Sequence, residues 1–146
     1  MSKLDKTSFL NVDLEIFSKA DLRPFVDALG PRVIEMFVGK VKRTYEAHLE
    51  LAWRRNQSPT SIILGFCKLV RALPRRERKL WDSAKIRSFD IGIEAPAKWR
   101  HFWGAISPEA VRAAAAVGAQ IAITVYGPMK SQQVKARAEE SAKPSK

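Results

Sequence analysis

Residues 10–16 read Leu-Asn-Val-Asp-Leu-Glu-Ile, an unbroken alternation of apolar and polar side chains. A period of two residues is typical of a β-strand that packs one face on a core and leaves the other in water. Residues 88–94 repeat the pattern, with Phe89, Ile91 and Ile93 at every second position. Because strands covered on both faces are apolar throughout, these stretches predict a sheet with one covered and one open face.

Helical patterns lie between the predicted strands. Three of them start at a serine, a favoured N-cap residue, and stop at glycine or proline. The predicted helices span residues 18–30, 58–74, 75–85 and 107–118. Further strands are predicted over 33–38, 41–51 and 121–126. Gly39-Lys40 is predicted as a two-residue hairpin turn, because a type II′ turn has glycine at its first central position.

The element order is therefore β-α-β-β-α-β, followed by one more α-β unit. We predict an α+β fold with a split β-α-β-β-α-β (ferredoxin-like) core and a five-stranded, mostly antiparallel sheet with helices on one face. One domain is predicted over residues 1–128. Residues 129–146 are rich in Lys, Ala, Glu and Ser and have almost nothing to bury, so they are predicted to be a flexible basic tail.

The chain has a formal net charge of +11 and a pI near 10.2, which favours polyanionic partners. The predicted open face is nonetheless acidic. Sheet-face RNA readers carry aromatic and basic residues on such a surface, so we do not expect that mode of binding here. The outward side chains are Asn11, Asp13, Glu15, Thr44, Glu46, His48, Glu50, Ser88, Asp90, Glu94, Thr124 and Tyr126.

Several of these side chains are of metal-ligating types. They lack the tight spacing of a His-x-x-x-His motif or an EF-hand loop, so we expect no metal or cofactor. The favoured interpretation is a solvated face, or one paired with Lys and Arg of neighbouring segments. As a functional interpretation, docking of a basic partner is preferred to a metal site. The metal-ligating set is Asp13, Glu15, His48, Asp90 and Glu94.

Catalytic and membrane signatures are missing from the sequence. It has two histidines and no nucleophile elbow, nucleotide-binding glycine loop or paired cysteines, so we expect no enzyme. Cys67 lies in the apolar run 62–70 and is predicted to be buried. No stretch approaches the ~18 apolar residues that span a bilayer, and the first residues lack a secretory signal's apolar region. We therefore expect a cytoplasmic protein.

Residues 95–106 mix cationic and aromatic side chains. Three interpretations are open: a lid on the core, the anchor of a protein interface, or a surface that stacks on bases and grips phosphates. The mixed run is Lys98, Trp99, Arg100, His101, Phe102 and Trp103.

Three stretches of the C-terminal half resemble a group of small uncharacterised bacterial proteins. They are Arg87-Ser88-Phe89-Asp90-Ile91-Gly92, Ile106-Ser107-Pro108-Glu109, and Val117-Gly118-Ala119 leading to Ile123-Thr124-Val125-Tyr126. The group shares a strand, a helix that starts at Ser-Pro-Glu and ends at glycine, and a final strand ending in tyrosine. Some members are candidate immunity proteins beside toxin systems, so the resemblance implies an immunity-like protein without assigning it a functional residue. An immunity protein against a nuclease is expected to be acidic, and this chain is basic in total.

Two functional hypotheses follow. The first is a non-enzymatic bacterial protein that binds another protein through the acidic open face or the 95–106 segment; its oligomeric state is unknown and it has no membrane partner. Its candidate residues are Asp13, Glu15, Asp90, Glu94, Trp99, Arg100, Phe102 and Trp103. The alternative is a nucleic-acid-binding accessory protein that uses the basic hairpin rim and residues 75–85. Its candidate residues are Arg54, Arg55, Arg75, Arg76, Arg78 and Lys79.

Overall fold

The alternating residues 10–16 lie within β1 (Ser8–Ser18), the central strand of a five-stranded sheet. The computed structural model describes residues 8–52, 57–95 and 101–127. The other strands are β2 (Val33–Val41), β3 (Thr44–Leu51), β4 (Ile86–Glu94) and β5 (Gln120–Tyr126). The helices are α1 (Arg23–Leu29), α2 (Pro59–Arg71), α3 (Arg75–Ser83) and α4 (Pro108–Ala116), with a short 3-10 turn at Gly30–Arg32.

The strands follow the order β2-β3-β1-β4-β5. Three of the four pairings are antiparallel, and β5 alone joins its neighbour β4 in parallel. The sheet is therefore mixed and mostly antiparallel, and the predicted α+β class and strand number are confirmed. The tail predicted over residues 129–146 lies outside the described residues.

One face of the sheet is buried under the helices. Val12, Leu14 and Ile16 are fully buried, whereas the residues between them are half-buried. These three belong to a single apolar cluster that also takes in residues from all four helices. Each such side chain contributes about 1.5–3 kcal/mol through removal from water. The alternation in β1 thus predicted correctly that these three side chains face the helices, but it was wrong for Leu10, which is 48% exposed because the register shifts between Phe9 and Asn11.

Two of the three predicted serine caps are observed. Ser58 and Ser107 cap α2 and α4, each accepting a hydrogen bond from the N–H three residues on. Gly118 ends α4 in the left-handed region at φ 75°, which suits a residue without Cβ. Ser18 is not a cap, however. It is the buried last residue of β1. Helix α1 begins only at Arg23, whose backbone N–H donates a hydrogen bond to the Asp21 carboxylate.

The predicted turn at Gly39-Lys40 is wrong, because the hairpin turns at Lys42-Arg43. Gly39 and Lys40 continue the ladder opposite Glu46 and Tyr45. The glycine serves packing instead, since a Cβ at position 39 would lie 3.2 Å from the Phe37 ring.

Two side chains hold α3 in place. Trp81 is fully buried, and its indole N–H donates to the Val117 carbonyl, at 2.7 Å. Arg87 of β4 donates to the carbonyls of Trp81, Asp82 and Gly118, at 3.0, 2.8 and 2.9 Å. Within the described ranges, no helix has the length and apolar character needed to cross a membrane.

Candidate functional site

The open face of the sheet carries the acidic side chains. Strand register places six carboxylates there and neither of the two basic residues found in the strands. Lys40 and Arg87 lie on the helix side, opposite Tyr45 and Ile16 respectively. Negative charge is thus concentrated on one surface of a chain whose net charge is +11. The six carboxylates are Asp13, Glu15, Glu46, Glu50, Asp90 and Glu94.

A groove of about 330 Å³ opens on this face, and we call it the acidic groove. The register of β1 against β4 shifts between Phe9 and Asn11, and Leu10 is 48% exposed at the groove's edge. Tyr126 closes the side next to β5. A site with four carboxylates beside apolar side chains suits the ammonium or guanidinium end of a long side chain, whose stem is apolar. The lining is Leu10, Asn11, Asp13, Glu50, Asp90, Gly92, Glu94, Tyr126 and Gly127.

Asp13 and Asp90 lie directly opposite each other in the β1–β4 ladder. Like charges in this position destabilise an antiparallel pair. The Asn11 amide donates to Asp13 at 3.3 Å, and the Thr124 hydroxyl lies 2.8 Å from both carboxylate oxygens of Asp90. These polar contacts partly offset the repulsion, and a bound cation would reduce it further.

A second polar group lies along the same face. The two ring nitrogens of His48 face Glu15 and Glu46, at 3.6 and 3.2 Å. The rings of Phe17 and Phe37 flank the imidazole, with centroids 5.8 and 6.1 Å away. The histidine therefore lies between the carboxylates of the open face and the rings of Phe17 and Phe37.

Edge strand β2 gives the open face an apolar border. Ile34, Phe37 and Val41 face this side and are 40–44% exposed, and the neighbouring Met36 is 60% exposed. The sequence pattern did not reveal this border, because the register shift between Glu35 and Phe37 breaks the alternation of residues 33–38. The open face thus combines an acidic centre with an apolar rim.

The predicted partner-binding residues separate onto two sides of the molecule. Asp13, Asp90 and Glu94 meet around the acidic groove, and Glu15 lies beside His48. Phe102 instead lines a cavity of about 210 Å³ with Ile91, Ile93 and Ile123, which the register places on the helix side. Trp103 is 79% exposed. Trp99 and Arg100 lie outside the described residues.

The predicted nucleic-acid-binding residues that are described lie on α3. Arg75, Arg76 and Lys79 are exposed, and Arg78 pairs with Asp82 at 3.1 Å. Because α3 packs on the covered face through Trp81, this basic surface is separate from the acidic groove. Arg54 and Arg55 lie outside the described residues.

Cys67 is fully buried, and this burial raises the pKa of its thiol. In the described part of the chain, no three His, Cys, Asp or Glu side chains are grouped so as to hold a metal ion. Comparison with family models, curated proteins and solved structures found no match to the chain. The geometry of the open face is therefore the ground on which a function is proposed.

Proposed function

We propose that the protein is a non-enzymatic binding protein that engages a basic partner protein through the open face of its sheet. The observation that carries the proposal is the placement of six carboxylates and no strand lysine or arginine on that face. Complementary potentials direct encounter and exclude wrong partners more than they add affinity. The apolar border from β2 adds the area that a stable interface needs.

The strand order supports a finer assignment of the fold. β2-β3-β1-β4 with antiparallel neighbours fits a split β-α-β-β-α-β, ferredoxin-like arrangement, to which β5 is added in parallel. An immunity-like role in a bacterium fits the same face. A basic toxin requires an acidic docking surface, and the open face supplies one even though the whole chain is basic.

A cationic probe tests this proposal, because a chain of net charge +11 repels such a probe everywhere except at a locally acidic surface. We expect fluorescein-labelled octalysine to bind, with an affinity that falls as salt rises. Substitution of Asp90→Asn with Glu94→Gln should weaken binding roughly tenfold, which corresponds to about 1.4 kcal/mol. Fluorescence anisotropy measures the dissociation constants of octalysine for the unmodified protein and for the double variant.

Glu77→Gln with Glu109→Gln is the matched control, since these two carboxylates lie in the first turns of α3 and α4, on the covered side. This variant should bind octalysine as the unmodified protein does. Equal weakening by the control and by the double substitution at Asp90 and Glu94, or no binding at low salt, would contradict the proposal.

Nucleic-acid binding is the second candidate function, and the exposed Arg75, Arg76 and Lys79 of α3 favour it. Phosphate contacts release counterions, so affinity for a random duplex should fall steeply with salt. Substitution of these three residues by glutamine should remove most of that affinity in a salt series. A duplex affinity that the substitutions leave unchanged would exclude this surface.

A further inference from the structure

The described chain ends inside the acidic groove. Tyr126 and Gly127, the last two described residues, both line it beside Asp90 and Glu94. Whatever follows Gly127 therefore starts at the mouth of a surface that carries four carboxylates.

The nineteen residues that follow, 128–146, have the complementary charge. They carry five basic and two acidic side chains, a net charge of +3. Lys130 comes three residues after Gly127, a span of about 10 Å at most. By contrast, residues 1–7 at the other end carry two basic and one acidic side chain. The basic residues of the C-terminal segment are Lys130, Lys135, Arg137, Lys143 and Lys146.

We infer that residues 128–146 dock on the acidic groove of the same molecule and occupy it as a competitor of the partner. The inference rests on the proposed function in one respect, since both use the same groove. A short tether gives an effective concentration in the millimolar range, so weak ion pairs suffice to populate the docked form. Because exposed ion pairs are weak and screened by salt, a partner with more basic groups can displace the segment.

Competition supplies the first test. Lys130→Gln, Lys135→Gln and Arg137→Gln together remove three positive charges from the segment, and we expect octalysine to bind about threefold to tenfold tighter. The matched control is Lys68→Gln, Arg71→Gln and Arg112→Gln, which removes the same charge from exposed positions of α2 and α4. If both triple variants change the affinity equally, general electrostatics explains the effect and the inference is wrong. If the affinity stays unchanged in the tail variant while octalysine still binds, docking is excluded and the proposed function stands.

A spin label on Ser131→Cys locates the segment without any partner. The native Cys67 is fully buried, so the label is directed to position 131. We expect paramagnetic broadening of the Asp13 and Asp90 amides beyond that of Ile63 and Phe66 in α2, with loss of the difference at high salt. Broadening limited to residues next to Gly127 would overturn the inference. The inference would also be overturned if the broadening appeared when spin-labelled protein is mixed with ¹⁵N-labelled protein that carries no spin label. The occupant of the groove would then be a second copy of the chain. If octalysine fails to bind but this broadening is present, the proposed function fails and the docked tail remains.

Discussion

At the scale of single residues, α3 is attached to its neighbours by hydrogen bonds from the buried Trp81 indole and from the partly exposed Arg87 guanidinium. Arg87 lies at a position that strand alternation predicts to be apolar, and it uses its guanidinium to satisfy three carbonyls near the ends of α3 and α4. The last carbonyls of a helix have no partner within it. The arginine therefore stabilises the C-terminal ends of two helices at once. Local sequence patterns do not reveal such a role.

Substitution of Arg87→Lys should lower the free energy of unfolding by about 1–3 kcal/mol. A single ammonium cannot reproduce the planar fork that reaches Trp81, Asp82 and Gly118 together. Urea unfolding followed by tryptophan fluorescence measures the change. Arg112→Lys on the exposed side of α4 is the control and should be neutral. An Arg87→Lys protein as stable as this control would contradict the assigned role.

Cys67 makes stability depend on pH in the alkaline range. Burial raises the thiol pKa above its ordinary value of 9.0. The unfolded chain therefore loses its proton at lower pH than the folded chain does, and the free energy of unfolding falls as pH rises above about 9. Relative to Cys67→Ala, the unmodified protein should lose stability progressively from there upward, and the difference should be constant below pH 8. If the free energies of unfolding of the two proteins followed parallel curves above pH 9, the Cys67 thiol would titrate alike in the folded and unfolded states, which would contradict this prediction.

At the scale of elements, β1 and β2 show how far alternation can be trusted. In β1 the predicted faces agree with burial across residues 11–16, whereas Leu10 is 48% exposed because the register against β4 shifts between Phe9 and Asn11. In β2 a register shift between Glu35 and Phe37 exchanges the faces midway. The alternation therefore does not predict the apolar border. The predicted turn is wrong for another reason, because Gly39 makes room for the Phe37 ring and is not a turn residue.

Lys42 at the hairpin turn has φ 54°, in the left-handed region. A residue with a Cβ pays about 1–2 kcal/mol there, which exceeds the entropic cost of glycine. We expect Lys42→Gly to raise the free energy of unfolding by about 0.5–1 kcal/mol in urea denaturation. Lys40→Gly, within the ladder and beside Tyr45, should have the opposite sign. Loss of stability in both variants would place the turn elsewhere.

At the scale of the whole molecule, the net charge of +11 conceals a segregated distribution. Alternation alone predicted that Asp13, Asp90 and Glu94 face away from the helices. It did not predict that they line one groove with Glu50, because that convergence depends on strand order and register, which are set by contacts distant in sequence. The 95–106 segment is the alternative partner surface that the sequence predicts, and its Phe102 lies on the other side of the sheet.

The most direct test of the central claim maps where a cationic ligand contacts the protein. Titration of ¹⁵N-labelled protein with octalysine should shift amide resonances along the open face, with the largest changes at Asp13, Asp90 and Glu94. The amide resonances of α2 and α3 should not shift. The shifts on the open face should vanish at high salt, because the contact is electrostatic. Shifts centred on the helices, or spread evenly over both faces, would contradict the assignment of the open face as the binding surface.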